Sequence, residues 1–157
     1  MSGILSYKGA VKVVSPKEVI NELLVDVFNH ILSIEAEVLK QKGVRLSMTE
    51  VHVLEAVRNV DIPTMGNVAH KLRVTLGTLT TSVNVLVKKG HLIRERDEAD
   101  RRKVYLRLTD SAFNVLKIHD AFHDEMVTSL FKDLELEKDE VLMKSLENIS
   151  QYFKQRY

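Results

Sequence analysis

The stretch Thr75–Leu108, TLGTLTTSVNVLVKKGHLIRERDEADRRKVYLRL, predicts a helix, a short strand, a charged loop and a second strand. In its first part apolar residues recur at intervals of three and four, which places them on one face of an amphipathic helix: Leu76, Leu79, Val83, Leu86 and Val87. The Thr75 hydroxyl can cap the start of this helix, and Gly90 can adopt the left-handed conformation that ends it. We therefore expect this helix to pack on the core through its apolar face.

The opposite face of the predicted helix is small, polar and nearly uncharged. It carries Gly77, Thr78, Thr81, Asn84, Val85 and Lys88. A helix face that meets only water usually carries acidic and basic side chains, whereas hydroxyls, an amide and methyl groups suit contact with base edges in a DNA major groove. This face predicts a DNA-reading helix, and a threonine-rich surface helix without a ligand is the alternative.

Two β-prone segments follow the helix, Ile93–Arg96 and Val104–Leu108, and the polar residues Asp97–Lys103 join them. The pattern predicts a hairpin with a charged tip. Three cations crowd this tip, from which they can reach a phosphate or a narrow minor groove: Arg101, Arg102 and Lys103. A solvated charge run is the alternative for these side chains.

The charge of the chain is unevenly distributed. The net charge is only +1, yet residues 71–107 hold ten Lys and Arg against four acids, so this window carries +6 and the remainder carries −5. A basic stripe over one helix and one hairpin is typical of a surface that binds phosphates.

The order of helix, hairpin and following Leu108-Thr109 resembles the winged helix-turn-helix of the MarR family of bacterial transcriptional regulators. In that family the wing is typically written D-x-x-D-R-R, followed by a strand and L-T-x-x-G. The chain matches it at Asp97, Asp100, Arg101, Arg102, Leu108 and Thr109, and it has Ala112 where the family usually has Gly. Within the family, the residues from Val74 to Ser82 are most similar to the FabT-type repressors of fatty-acid synthesis genes.

The resemblance implies a transcriptional repressor that binds a near-palindromic operator in double-stranded DNA as a homodimer. The residues that we expect to contact DNA are Thr75, Thr78, Thr80, Thr81, Asn84, Lys88, Arg96, Arg101, Arg102 and Lys103. A FabT-type repressor would bind DNA more tightly in the presence of long-chain acyl groups on acyl carrier protein. The expected effector site lies between the first long helix and the helix after the wing, at Phe28, Ile31, Leu32, Phe122 and Met126. Plain core packing is the alternative for those five residues.

The remaining sequence predicts a mainly α-helical single domain over residues 1–157, with the hairpin as its small β element. Residues 1–14 lack an apolar pattern and read as a flexible arm. Ser15 and Ser47 each begin a capping box, which places a long helix over 15–42 and the winged helix-turn-helix over 47–108. Residues 15–42 and 110–157 carry more apolar side chains than one packing stripe needs, so we expect them to form dimerisation helices.

Composition excludes several functional classes. The chain has no Cys, which excludes disulfides and thiolate metal sites. It has no apolar run long enough for a membrane span and no secretory signal pattern, so we expect a cytoplasmic protein without a membrane partner. No nucleophile motif, phosphate-binding loop or paired carboxylates are evident, and we expect neither an enzyme nor a cofactor.

A metal-responsive regulator is the alternative function. His119 and His123 lie four residues apart on a predicted helix, which is the spacing of a helical metal-binding pair. Glu35, Glu37 and His52 could supply further ligands. Because paired histidines at a surface or interface are more common than metal sites, we treat His119 and His123 as weak candidates and predict no metal.

Overall fold

The computed structural model describes residues 15–100, 103–132 and 138–156. Seven α-helices, a π-helical segment and a two-stranded hairpin follow one another in this part of the chain. In order they are α1 (Pro16–Glu22), the π segment (Leu23–Val27), α2 (Phe28–Gln41), α3 (Met48–Asn59), α4 (Met65–Leu72), α5 (Leu76–Lys88), β1 (Leu92–Arg96), β2 (Val104–Leu108), α6 (Asp110–Phe131) and α7 (Glu140–Arg156). The expected arm, residues 1–14, lies outside the described residues.

The predicted first helix is interrupted. Its capping box forms as expected, with the Ser15 backbone N–H donating to the Glu18 carboxylate at 2.8 Å. The π segment then separates α1 from α2, although the sequence predicts an unbroken helix. Residues 23–27, LLVDV, contain neither Gly nor Pro, so no helix-breaking residue in the sequence marks this segment.

Local signals explain where the other helices begin and end. Ser47 and Glu50 form the second capping box, and the hydroxyls of Thr64 and Thr109 accept backbone N–H groups at the starts of α4 and α6. Gly90 ends α5 with a φ of 76°, in the left-handed region that a glycine adopts at little cost.

The hydrophobic core lies within the winged unit and the first half of α6. It is built from fully buried aliphatic side chains on α3, α4, α5, the hairpin and α6, among them Val51, Leu54, Val68, Leu79, Val83, Leu86, Leu92, Leu106 and Leu116. Leu39 adds the end of α2 to this core. The core thus fixes the positions of the helix-turn-helix and the hairpin relative to each other.

The hairpin is antiparallel, with Leu92 opposite Leu108 and Arg96 opposite Val104. It is joined to the segment before α4, because the Leu106 N–H donates to the Pro63 carbonyl at 2.8 Å. This hydrogen bond attaches the wing to the helix-turn-helix.

The terminal helices leave large apolar side chains in contact with solvent. In α1, the π segment and α7 none of the described residues is buried. The exposed apolar residues include Val19, Ile20, Leu23, Leu24, Val25, Phe28, Val141, Leu146, Tyr152 and Phe153. Across the described ranges, the structure has no helix both apolar and long enough to cross a membrane.

Candidate nucleic-acid interface

A tight turn joins α4 to α5. Arg73 takes the left-handed conformation there, with φ 56° and ψ 41°, and the Val74 N–H donates to the Ala69 carbonyl at 3.1 Å. An arginine in this region costs roughly 1–2 kcal/mol relative to a glycine. The helix-turn-helix therefore holds a strained corner immediately before its second helix.

The buried side of α5 is narrower than its apolar pattern suggests. Leu79, Val83 and Leu86 are buried, but Leu76 is 56% exposed and Val87 is 37% exposed. The prediction that Leu76 and Val87 belong to the core is wrong, because both flank the buried row where nothing in the described chain covers them. Opposite the buried row lie exposed residues of the predicted reading face: Gly77, Thr81, Asn84 and Lys88.

Threonine hydroxyls on α5 bond within their own helix. Thr75 caps the Thr78 N–H at 3.1 Å, and their two hydroxyl oxygens lie 2.9 Å apart. Thr80 donates to the Leu76 carbonyl at 2.7 Å and Thr81 donates to the Gly77 carbonyl at 3.2 Å. Since the protons of Thr80 and Thr81 are engaged, their remaining lone pairs are free to accept from a donor such as a base amino group.

Asn84 is oriented by the wing. Nη1 of Arg94, on β1, donates to Oδ1 of Asn84 at 2.7 Å. This bond fixes the amide with its NH₂ group unengaged, and an NH₂ group donates to acceptors such as adenine N7. Arg94 is absent from the predicted DNA contacts, and the only sequence signal for it is its place in the basic window.

A groove with a volume of about 950 Å³ lies between the helix-turn-helix and the wing. It brings together three of the predicted DNA contacts, Thr80, Arg96 and Lys103, with the unpredicted Leu76 and Arg94. The exposed Leu76 thus contributes apolar surface to a groove whose cations are Arg94, Arg96 and Lys103.

The acids of the wing motif shape the loop. The Asp97 carboxylate accepts the N–H groups of Ala99 and Asp100, both at 2.8 Å, and the Lys103 N–H donates to the Asp100 carbonyl at 2.8 Å. The hydrogen bonds from the Asp100 and Ala99 N–H groups hold the pKa of Asp97 below its usual value, and the bond from Asp100 has the larger effect. Arg101 and Arg102 lie outside the described residues, so their DNA contacts stay predictions.

The two lysines at the end of α5 differ in their partners. Lys89 Nζ lies 2.9 Å from both carboxylate oxygens of Glu50 and 3.1 Å from the Arg45 carbonyl. Lys88 is exposed, and within the described part of the chain no carboxylate pairs with it. Of this pair, Lys88 alone has a charge free for phosphate.

The other predicted sites lie away from this surface. Phe28 is 56% exposed, while Ile31 and Leu32 on α2 and Phe122 and Met126 on α6 are half-buried. An apolar cavity of about 360 Å³ lies instead between α1 and α7, lined by Ile20, Leu24, Asn148, Ile149, Tyr152 and Phe153. His119 is buried and His123 half-buried, and both lie beside Glu35.

Comparison with known proteins identifies the family. A family model described as the transcriptional regulators SarA/Rot matches residues 37–120, a range that runs from the end of α2 to the first half of α6. The chain belongs to this family.

Individual proteins are similar to this SarA/Rot-type regulator in sequence or in fold. It is 28% identical to the HTH-type transcriptional regulator SarZ of Staphylococcus haemolyticus over 106 residues, which covers 66% of this chain and 69% of SarZ. It is 34% identical to Streptococcus pneumoniae FabT in a crystal structure with DNA, with a TM-score of 0.79 and coverage of 90% of this chain and 99% of FabT. A MarR regulator from Methanosarcina mazei, 18% identical, superposes with a TM-score of 0.68 over 88% of this chain and 96% of its own, and shows the fold alone.

These comparisons confirm the predicted winged helix-turn-helix and the MarR-type likeness. The protein is a DNA-binding transcriptional regulator of the MarR/SarA type. It is not an enzyme.

Proposed function

We propose that the protein is a sequence-specific repressor, two copies of which bind a near-palindromic operator. The observation that carries this proposal is the acid-free exposed face of α5 beside the cationic groove of the wing. In this arrangement α5 enters the major groove, where Thr78, Thr81 and Asn84 read base edges. The backbone contacts come from Thr75, Lys88, Arg96 and Lys103 and, by sequence prediction, from Arg101 and Arg102. Thr80, whose hydroxyl proton is engaged by the Leu76 carbonyl, contacts DNA as an acceptor.

Gly77 lies on the exposed face of α5, and because it has no side chain, DNA can approach the helix backbone closely there. A Cβ built at this position would lie 3.9 Å from its nearest neighbour, the Thr75 hydroxyl, so nothing within the chain excludes a side chain there. A glycine within a helix costs roughly 0.5–1 kcal/mol relative to alanine. A partner that comes close to the helix backbone accounts for this cost.

The exposed apolar surface of the terminal helices supports a homodimer. Large side chains such as Leu24 and Phe153 are 46% and 42% exposed, and a second copy would cover them. We propose residues 15–42 and 110–157 as the dimerisation helices, so that two winged units face successive turns of the operator. The measurement is sedimentation: we expect a dimer for the parent and a shift toward monomer for Leu24→Glu, and a monomeric parent contradicts this part of the proposal.

The likeness to FabT supports fatty-acid synthesis genes as targets. The structural match covers nearly the whole of that protein. The experiment is recovery of the DNA bound to the protein in cells, followed by sequencing. We expect fragments upstream of fatty-acid synthesis genes, and fragments without such genes exclude this target.

The same likeness supports long-chain acyl-acyl carrier protein as a corepressor. The cavity of about 360 Å³ between α1 and α7 lies within the size range of small-molecule pockets. Because an effector must bind the DNA-competent form better, we expect it to tighten operator binding by roughly 5- to 150-fold. An unchanged binding isotherm with the loaded carrier protein excludes it as effector.

Two bulky substitutions locate the acyl site. Met126→Trp fills the site predicted between α2 and α6, and Ile149→Trp fills the cavity between α1 and α7. We expect Met126→Trp to abolish the enhancement and to leave binding to operator alone unchanged. If Ile149→Trp abolishes it and Met126→Trp does not, the acyl chain lies between α1 and α7.

A further inference from the structure

Among the described residues, the most deeply buried polar side chains meet where α2, α3 and α6 come together. Glu35 on α2 is 1% exposed and His119 on α6 is 2% exposed, and His119 Nε2 lies 2.8 Å from Glu35 Oε1. His52, on α3, offers a third ligand atom, and all three ligand atoms lie within 4.8 Å of one another. Three helices that are distant in sequence thus contribute one group each.

A fourth side chain shares the same carboxylate oxygen. His123 Nε2 lies 3.1 Å from Glu35 Oε1, and the rings of His119 and His123 are 4.6 Å apart at their centroids. In tetrahedral zinc sites the metal lies about 2.0–2.2 Å from N and O ligands, which sets ligand atoms roughly 3.3–3.5 Å apart. The separations of 2.8 and 3.1 Å from Glu35 are close to that value, so Glu35, His119 and His123 need only small shifts to bind one ion. The His52 ligand atom lies within 4.8 Å of those of Glu35 and His119, and it moves inward to complete the site.

Ordinary hydrogen bonding leaves His119 unexplained. Both of its ring nitrogens are buried and neither has a hydrogen-bond partner, because the close approach of Nε2 to Glu35 lacks hydrogen-bond geometry. A buried polar group without a partner is rare in a folded protein and calls for a specific explanation such as an ion. Its Nδ1 lies 3.7 Å from Asp120 Oδ1, on the side where metal-bound histidines usually meet a carboxylate.

We propose that Glu35, His52, His119 and His123 form a binding site for a divalent transition-metal ion. Three imidazoles and one carboxylate are a ligand set that suits Zn²⁺. The buried carboxylate supplies one negative charge, and the ion supplies the cation that this pocket lacks among the described lysines and arginines. The His123 side chain is 41% exposed, which gives the ion an entry route from solvent.

The position of this site gives it a regulatory consequence. α3 begins the winged unit, whereas α2 and α6 belong to the proposed dimerisation helices. A bidentate pair already joins α3 to α6 nearby, with Arg58 Nη1 and Nη2 at 2.6 and 2.9 Å from the Asp120 oxygens. An ion bound by side chains of all three helices adds a second link between α3 and α6. It fixes the orientation of each DNA-binding unit relative to the dimerisation helices, so metal occupancy regulates the proposed DNA binding.

Direct metal binding tests the site without DNA. The full chain, stripped with a chelator, is titrated with Zn²⁺ against a chromophoric competitor, and Co²⁺ reports the coordination geometry by its visible absorbance. We expect one ion per chain and a tetrahedral Co²⁺ spectrum. Since loss of an outer-shell partner already weakens metal sites by about 10- to 100-fold, loss of a ligand in Glu35→Gln or His119→Ala lowers the affinity by about 100-fold or more.

Two further variants keep the test decisive. His70→Ala is the control, because His70 is exposed on α4 away from the cluster, and it retains the parent affinity. His123→Ala replaces His119→Ala if the buried change prevents folding, since His123 is only half-buried. Absence of Zn²⁺ binding at micromolar concentration, or parent affinity in Glu35→Gln and His123→Ala, overturns the site.

A DNA titration with and without Zn²⁺ tests the regulatory role. We expect Zn²⁺ to shift the operator affinity of the parent and of His70→Ala and to leave that of Glu35→Gln unchanged. Equal affinities for the parent under both conditions refute the regulatory role, and because the metal titration contains no DNA, that result stays distinct from failure of the proposed repressor function.

Discussion

The neighbouring residues Lys88 and Lys89 allow phosphate binding and fold stability to be separated. Lys88 is exposed beside the reading face and has no acidic partner in the described chain, so Lys88→Gln removes one phosphate contact from each subunit. Each neutralised phosphate contributes about 0.9 to the slope of log K against log salt concentration. With two subunits on one operator, the slope becomes shallower by roughly 1.8, and the loss is equal on operator and random duplex.

Lys89→Gln is the matched control, because this lysine is held by Glu50. The Glu50 side chain is 12% exposed and that of Lys89 is 37% exposed, so the pair lies between a surface ion pair and a buried one. We expect a loss of about 1–2 kcal/mol of unfolding free energy, between the usual costs for those two classes. At roughly 2–4 °C per kcal/mol, the melting temperature falls by about 2–8 °C, while the salt slope stays that of the parent.

Fluorescence anisotropy at four or more salt concentrations measures the slope, and thermal unfolding measures the stability. A salt slope that Lys88→Gln leaves unchanged, or that Lys89→Gln flattens as much as Lys88→Gln does, refutes phosphate binding by Lys88.

Three further predictions concern the same surface. Gly77→Ala raises the unfolding free energy by about 0.5–1 kcal/mol, because the position has room for a Cβ, yet it weakens operator binding; unchanged DNA affinity in a titration removes the close approach. Asn84→Ala costs about 1–3 kcal/mol on operator and little on random duplex, and equal losses on both show that this side chain does not read bases. Burial raises the pKa of Glu50, but the hydrogen bonds from Lys89 and Ser47 outweigh it and leave that pKa below 4.5. Glu50 therefore stabilises the fold fully above pH 4.5, and its contribution is lost as the pH falls through its folded pKa. In urea unfolding, the gap between parent and Glu50→Gln narrows as the pH falls, and a gap that widens contradicts the ion pair.

Local chemistry made much of the fold predictable. Ser47, Thr75 and Gly90 mark helix ends through short-range hydrogen bonds and backbone conformation, so their roles are visible in the sequence. The polar loop between two β-prone segments predicted the wing for the same reason. Leu76 and Val87 were misplaced because helical periodicity shows which residues share a face, but not how wide a strip of that face the neighbouring elements cover.

The features that the sequence did not predict depend on tertiary contacts or on strain. The bond from Arg94 to Asn84 joins a strand to a helix, and no spacing rule reports it. Arg73 adopts a left-handed conformation that a glycine normally signals. The sequence predicts Glu37 as a candidate metal ligand, but it lies on the exposed side of α2. There its carboxylate accepts from the Gln41 amide at 3.2 Å and lies 3.9 Å from the Lys40 ammonium.

Selection from a random duplex library tests the central claim most directly, namely that α5 and the wing read DNA sequence as a symmetric pair. The full chain is incubated with the library, and the retained duplexes are sequenced over successive rounds. We expect enrichment of one near-palindrome whose half-sites lie about one helical turn, roughly 10 base pairs, apart. Retention of duplexes without a shared sequence, or enrichment of a single asymmetric half-site, would contradict it.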